Sequence, residues 1–189
     1  AVIEVAAELK SPVFVATSES ERAFLGPRQA RALVDAFKKE FPISIFLNAD
    51  HTKSWEKAKE AVDIGYDAVL IDASALPFAE NVALTKKVVA YAKKKNPEIV
   101  IEGELGYLRG ESKIQEIVEI KEGDLTKPED AQSFVASTGV DLLAPAVGNI
   151  HGIVTKSREQ LRIDLIQNIK KAVGDMGLVL HGASGLLAQ

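Results

Sequence analysis

Imidazole side chains are the first feature of this sequence that could do chemistry, because all three histidines end or follow short apolar runs. Runs of Val, Ile and Leu that are nearly continuous are typical of parallel strands buried on both faces. Active sites in barrels of such strands lie at the carboxyl ends of the strands, so the imidazoles are predicted to converge. Three imidazoles suit a tetrahedral zinc site with one open position. The histidines are His51, His151 and His181, with the runs 43–48, 140–146 and 178–181.

Carboxylates stand beside these histidines or at the ends of neighbouring runs. Asp72 and Glu104 are candidates for further metal ligands, or for hydrogen-bond partners that fix imidazole tautomers. Capping or salt bridging at a strand end is the simpler alternative, and it suits Asp72 better than Glu104. Asp50 precedes His51, so in a regular strand its side chain points to the opposite side. A carboxylate beside a metal but not bound to it can carry a proton; a contact to the next helix is the alternative.

Two glycine-rich turns accompany the last two histidines. Residues 181–185 read His-Gly-Ala-Ser-Gly, and Gly148 and Gly152 flank His151. Backbone N–H groups in such turns can hold a phosphate, and the Ser184 hydroxyl is an additional donor. Glycine turns are common, so each is a weak signal alone. Together, at strands that carry histidines, they indicate a phosphorylated substrate.

The elements that must position these residues alternate between strand and helix along the whole sequence. Six apolar runs are separated by amphipathic stripes with the helical period. Signals for helix ends support this pattern: Pro27 fits the first turn of a helix, Gly65 fits the position after the last turn of another, and Thr126 with Glu129 is predicted to form a capping box. This pattern predicts an α/β fold with a parallel sheet. Neither common nucleotide-binding glycine motif is present. A (β/α)8 TIM barrel, truncated so that its first and eighth strands are missing, is therefore preferred to a doubly wound sheet.

One connection, residues 105–125, shows no convincing apolar stripe and is predicted to be a functional loop. Because a (β/α)8 barrel takes about 250 residues, the 189 residues are predicted to be a single barrel domain, 1–189, incomplete at both ends. Two unpaired barrel edges are an aggregation hazard. We therefore expect this chain alone to be unstable and inactive.

Composition excludes several classes of protein. The absence of cysteine removes disulfides, thiolate metal sites and cysteine nucleophiles. A net charge of −4 offers no basic surface for nucleic acid. No apolar run approaches the roughly 20 residues that span a bilayer, and no secretory signal opens the chain. The sequence predicts a cytoplasmic protein that binds neither nucleic acid nor membranes.

Five segments, in family order, resemble the class II (zinc-dependent) fructose-bisphosphate aldolase family. They are residues 48–51 (Asn-Ala-Asp-His), 69–74 with 77–81, 102–106 (Glu-Gly-Glu-Leu-Gly), 148–152 (Gly-Asn-Ile-His-Gly) and 178–185. The resemblance implies a TIM barrel that cleaves fructose 1,6-bisphosphate to dihydroxyacetone phosphate and glyceraldehyde 3-phosphate, in glycolysis and gluconeogenesis. It implies a zinc-stabilised enediolate, with a second divalent or a monovalent cation left open, and a homodimer or higher homo-oligomer at full length.

The resemblance also implies roles for individual residues. The histidines match the metal ligands, and Glu104 and Asp72 match carboxylates that contact the metal in an alternative position. Asp50 matches the catalytic aspartate that handles the C4 hydroxyl proton. Among residues that match contacts to the substrate or its phosphates are Ser18, Gly152, Gly182 and Ser184. A loop glutamate moves the carbon-bound proton, and Glu111 is the nearest candidate, with Glu116 behind it.

The sequence departs from the family pattern at the proton-transfer loop, which reads Arg109-Gly-Glu-Ser112 where two glycines are usual. Ala183 replaces a usual glycine. Tagatose-bisphosphate aldolase is an alternative, because nothing in the sequence reads the C4 configuration. A metal-binding barrel without activity is another, disfavoured by Asp50 and the glycine turns. No apolar run ends in the lysine of a Schiff-base aldolase, and no His-x-His pair indicates a metal-dependent hydrolase.

Overall fold

The computed structural model describes residues 1–155, 161–183 and 186, with the backbone alone at Glu111 and Ser112. It consists of two compact units. The first comprises residues 1–72 and 87–102, and the second comprises residues 73–86 and 103–189. The helix α5 (Phe78–Lys95) and the strand β4 (Val100–Leu105) each contribute residues to both units.

The first unit begins with alternating helices and strands. They are α1 (Val2–Glu8), β1 (Val13–Thr17), α2 (Glu19–Leu25), α3 (Pro27–Glu40), β2 (Ile45–Thr52), α4 (Trp55–Ile64) and β3 (Ala68–Ile71). The strands lie in the order β1, β2, β3, then the start of β4. β2 is parallel to both of its neighbours, with Val13 opposite Ile45 and Ala49 opposite Val69.

Burial in the first unit explains this order. Every residue of β3 is buried, as expected for a parallel strand covered on both faces. The apolar stripes of α3 and α4 bury Ala30, Val34, Ala58 and Ala61. Both helices contact β2, so the strand that carries Asp50 and His51 runs through the core of the unit.

The second unit continues the alternation after β4. Its elements are β5 (Gly110–Gln115), a 3₁₀ turn (Glu122–Asp124), α6 (Pro128–Thr138), β6 (Leu142–Pro145), β7 (His151–Val154), α7 (Ile163–Val173) and β8 (Gly177–Leu178). The end of β4, β6 and β8 lie in that order, while β5 and β7 form a separate parallel pair. Helices α6 and α7 contact each other, and Phe134, Leu143 and Ile169 are fully buried.

The structure confirms the α/β class and places a strand in each of the six predicted runs. The prediction of a connection without regular structure over 105–125 was wrong, because β5 lies within it. The prediction that Thr126 and Glu129 form a capping box was also wrong. The Thr126 hydroxyl donates to the Leu105 carbonyl at 2.5 Å and accepts from Ala146 N at 2.9 Å, so it ties β4 to β6 and leaves α6 to begin at Pro128.

Across the part of the chain that the structure describes, no helix combines the length and apolarity that a bilayer crossing requires.

Candidate functional site

The predicted site residues fall into two sets, one in each unit. Ser18, Asp50, His51 and Asp72 belong to the first unit. The second holds Glu104, Glu111, His151, Gly152, His181, Gly182 and Ser184. Ser184 lies outside the described residues, as does the side chain of Glu111.

A β-bulge shapes the end of β2, where Asp50 and His51 lie. Ala49 is opposite Val69 and Thr52 is opposite Ile71, so β2 has one residue more than β3 over this stretch. His51 takes up the irregularity with a φ of +38°, a left-handed conformation that costs about 1–3 kcal/mol in a residue other than glycine. The expectation that Asp50 and His51 point to opposite sides was therefore wrong, because it assumed a regular strand. A carboxylate oxygen of Asp50 lies within 4.8 Å of a ring nitrogen of His51.

The His51 ring is held by Asp72, directly after β3. His51 Nδ1 and Asp72 Oδ2 are 3.1 Å apart, and both side chains are mostly buried, at 18% and 11% exposure. A carboxylate on one ring nitrogen fixes the tautomer and orientation of an imidazole and leaves Nε2 for another partner. The contact is compatible with the second of the two roles predicted for Asp72, and both roles stay predictions. Sequence spacing alone did not distinguish it from a direct metal ligand.

Ser18 stands between β1 and α2, where it caps the helix. Its hydroxyl accepts from Glu21 N at 3.4 Å and donates to the Glu21 carboxylate at 2.8 Å, while its own N–H donates to that carboxylate at 2.7 Å. This reciprocal capping box lowers the pKa of Glu21, chiefly through the bond from the Ser18 backbone. Contact between Ser18 and a substrate stays a prediction.

In the second unit, His151 opens β7 beside the start of β5. Gly110 is opposite His151 in the pair, and His151 N donates to the Arg109 carbonyl at 2.9 Å. Gly110 has a φ of +94°, and a Cβ there would lie 2.5 Å from the His151 carbonyl oxygen. Only glycine allows this close approach. The backbone of Glu111 therefore follows directly on the residue that pairs with His151.

His181 follows β8 and is tied to the same region by Asn149. The Asn149 side chain is buried; its Nδ2 donates to the His181 carbonyl and its Oδ1 accepts from Val147 N, both at 2.8 Å. Gly182, with a φ of +67°, has no space for a Cβ beside the Ile150 carbonyl. The ring centroids of His151 and His181 are 6.4 Å apart. No role was predicted for Asn149, whose one signal in the sequence is an amide between Gly148 and Ile150.

Glu104 lies near the end of β4, and its side chain is only 2% exposed. Asn81, also buried, donates from Nδ2 to the Glu104 carbonyl at 2.9 Å and accepts from the Thr85 hydroxyl at 3.0 Å. The backbone of Glu104 is thus fixed by α5. Such support restricts the directions in which the carboxylate can point.

Two charged residues brace the start of β5. Arg109 Nε and Nη2 donate to the two carboxylate oxygens of Asp124 at 2.5 and 2.9 Å, and Lys121 N donates to Oδ2 at 2.7 Å. The bond from Arg109 holds the pKa of Asp124 below its usual value. A bidentate pair of this kind fixes geometry as well as charge, so it restrains the chain immediately before Glu111.

The donors available in both units fit a divalent transition metal. Imidazole nitrogen and carboxylate oxygen are the available ligand types, since the chain has no cysteine, and zinc accepts both. The His151 and His181 ring centroids are 6.4 Å apart, so two imidazoles lie in one region of the second unit. In the first unit, the 3.1 Å contact with Asp72 is made through His51 Nδ1, so the two side chains supply one imidazole and one carboxylate in the same place.

Comparison with known proteins defines the class. The fold resembles that of a solved aldolase from Escherichia coli K12, named YdjI, with a TM-score of 0.81 and 33% identity over 98% of this chain and 63% of that one. The α/β architecture with a parallel sheet is consistent with part of a TIM barrel. All residues, 1–189, match the family described as class-II fructose-bisphosphate aldolase. The chain belongs to that family, which is generally metal-dependent.

Curated relatives agree with this assignment. The chain is 34% identical to a fructose-bisphosphate aldolase of Treponema pallidum and 38% identical to one of Giardia intestinalis, in each case over 98% of its length. It spans 60% and 56% of those proteins, about three fifths of the length of the curated relatives it matches.

Proposed function

We propose that the protein carrying this sequence is a zinc-dependent lyase that cleaves fructose 1,6-bisphosphate to dihydroxyacetone phosphate and glyceraldehyde 3-phosphate, and catalyses the reverse condensation. The observation that carries the proposal is the β2 bulge, where Asp50 and His51 lie side by side and Asp72 holds the His51 ring. A carboxylate next to an oriented imidazole can carry a proton beside a metal ligand, and a bound metal ion can polarise a carbonyl. Family membership along the whole chain supports it.

The metal ligands in this proposal are His51, His151 and His181, with Glu104 and Asp72 able to contact the ion or orient its ligands. Asn149 fixes the backbone at His181, and Gly110 gives His151 the close strand contact described above. A bound zinc ion supplies Lewis acidity toward the substrate carbonyl. A second divalent or a monovalent cation is compatible with the surplus of carboxylate donors.

The proton steps fall to two carboxylates. Asp50 accepts the C4 hydroxyl proton as the C3–C4 bond breaks, which leaves the aldehyde product and a pair of electrons on C3. Glu111 then delivers a proton to C3 and balances the reaction. In support of this role for Glu111, its backbone follows the residue that pairs with His151, and the Arg109–Asp124 pair braces it.

The phosphate groups are proposed to bind at backbone N–H groups of the two glycine turns. Gly152 and Gly182 have φ values of +85° and +67°, and successive amides in such conformations can point toward one anion. Ser184 and Ser18 would add hydroxyl donors. The setting that follows is glycolysis and gluconeogenesis in the cytoplasm, in a homodimer or larger homo-oligomer.

A coupled assay of the full natural-length protein with fructose and tagatose 1,6-bisphosphates tests the substrate assignment. We expect cleavage of both diastereomers to depend on added zinc, with kcat/KM higher for the fructose substrate. A higher value for the tagatose substrate would replace the assignment with the alternative enzyme. Zinc binding without cleavage of either would indicate a metal-binding barrel without activity.

A further inference from the structure

A buried arginine in the first unit lies directly beneath the Asp50–His51 pair. Arg22, on α2, is only 6% exposed. Its Nη1 donates to the carbonyl oxygens of Thr17 and, at 3.2 Å, of Asp50. Its Nη2 donates to Oγ1 of Thr52 at 3.0 Å. The guanidinium thus joins the last residue of β1 to both sides of the β2 bulge.

The peptide group that Arg22 holds is the one between Asp50 and His51. That group sets the direction of both side chains, because its orientation fixes ψ of Asp50 and φ of His51. The φ of +38° at His51 is not one that the residue adopts without support. Thr52 adds support by donating from Oγ1 to the Ala49 carbonyl at 3.1 Å. The bulge is therefore held by hydrogen bonds from Arg22 to Asp50 and Thr52, and from Thr52 to Ala49.

Placing a guanidinium there is unfavourable in itself. Burial lowers the pKa of Arg22, while the charges of Tyr66, Glu19 and Asp50 oppose this effect. The hydrogen-bonded partners are neutral oxygens, so the desolvation of the charge is not offset by a bidentate carboxylate. An arginine in this position makes physical sense when its rigid fork must reach several carbonyls at once.

We propose that Arg22 is a positioning residue that fixes the peptide between Asp50 and His51, so that the proton carrier and the metal ligand keep their mutual orientation. The inference rests on the proposed function for its catalytic consequence. Its structural part, control of the His51 ring by Arg22, holds for the metal-free protein as well.

Arg31 provides a matched control on the neighbouring helix α3. Its side chain is 11% exposed, and its Nη1 donates to the Gly65 carbonyl at 3.2 Å and to Asp67 at 2.8 Å. It bonds neither to Asp50 nor to His51 in the described structure. Arg22→Lys and Arg31→Lys therefore make the same chemical change at a buried and a half-buried arginine, and only Arg22 contacts the bulge.

The structural readout is the set of imidazole ring signals in the ¹⁵N-histidine-labelled, metal-free, full-length protein. The 189 residues contribute three histidines to this spectrum. We expect Arg22→Lys to move the His51 signals, and Arg31→Lys to leave them in place. Thr52→Val keeps the Arg22 charge and removes one of its hydrogen-bond partners. It should also move the His51 signals, and it replaces Arg22→Lys in the test if that variant does not fold. Unchanged His51 signals in the folded variants would overturn the proposal.

The kinetic readout separates positioning from general destabilisation. We expect Arg22→Lys to lower kcat for fructose 1,6-bisphosphate by about 10–100-fold, since misplacement of a reacting group costs rate steeply, with KM changed by less than about 2-fold. Equal losses in Arg22→Lys and Arg31→Lys would contradict the inference. Absence of cleavage by the parent protein would contradict the proposed function instead, and the imidazole spectrum would still decide the role of Arg22.

Discussion

Asp50 and His51 are neighbours in the chain, yet we propose that Asp50 carries a proton and that His51 binds a metal ion. Asp50→Ala is expected to retain bound zinc while kcat falls by about 10²–10⁴-fold, the usual range for loss of a general acid–base group. His151→Ala is expected to weaken zinc binding itself, because it removes a ligand. Zinc content after dialysis and turnover of the same samples check both outcomes. Loss of zinc from Asp50→Ala would show that Asp50 is a ligand and not the proton carrier.

At the scale of elements, the pairing of β5 with β7 depends on one glycine. Gly110 and Gly65 have nearly equal φ values of +94° and +92°, but a Cβ at Gly65 meets nothing within 4 Å, whereas one at Gly110 meets the His151 carbonyl. Gly65→Ala should cost about 1–2 kcal/mol through backbone conformation alone. Gly110→Ala should cost at least about 1 kcal/mol more through steric overlap and should also weaken zinc binding through His151. Equal costs in urea unfolding, with equal zinc affinity, would contradict the described pairing.

A surface cluster between α4 and α5 is expected to make the stability of the first unit depend on pH. Bonds from Lys59, at 2.5 Å, and from the Tyr91 hydroxyl, also at 2.5 Å, lower the pKa of Asp63 to about 2. Because the folded pKa lies below the unfolded value, the stabilisation is present above about pH 4 and is lost as the pH falls toward 2. Asp63→Asn should remove this component.

Urea midpoints of the full natural-length protein, as wild type and as Asp63→Asn, measure the effect at several pH values. The wild type should be the more stable protein near pH 6, and the difference should shrink steadily between pH 4 and pH 2. Tyr91→Phe, which removes one of the two bonds, should give an intermediate curve. A difference that stays constant with pH would exclude a role for the Asp63 charge.

For the molecule as a whole, the sequence predicted the repeating elements better than their irregularities. Six apolar runs became strands because burial on both faces leaves a strong pattern in sequence. β5 was missed because Ile114 is the one large apolar residue in its six positions, and its pairing with β7 is a tertiary effect. The short helix α2 was also missed, although its first turn carries a capping box.

In the candidate site, too, the features that follow from regular strands were predicted and the irregular ones were not. Position at a strand end was the signal that singled out the three histidines, Asp72 and Glu104, and their roles at a metal stay predictions. The bulge at His51 was not predictable, because it depends on the register between β2 and β3 and on the guanidinium of Arg22. Asn149 and Asn81 were missed for a related reason: each supports a site residue through a backbone carbonyl, a contact that leaves no pattern in spacing.

Turnover of fructose 1,6-bisphosphate by the full natural-length protein, before chelation, after EDTA and after zinc is returned, decides whether the reaction depends on a metal. We expect activity to be lost with the metal and restored by about one zinc ion per chain, because an open zinc position is required for carbonyl polarisation. Treatment with borohydride in the presence of substrate should leave the activity intact. Cleavage that survives EDTA and is trapped by borohydride would contradict a zinc-dependent reaction.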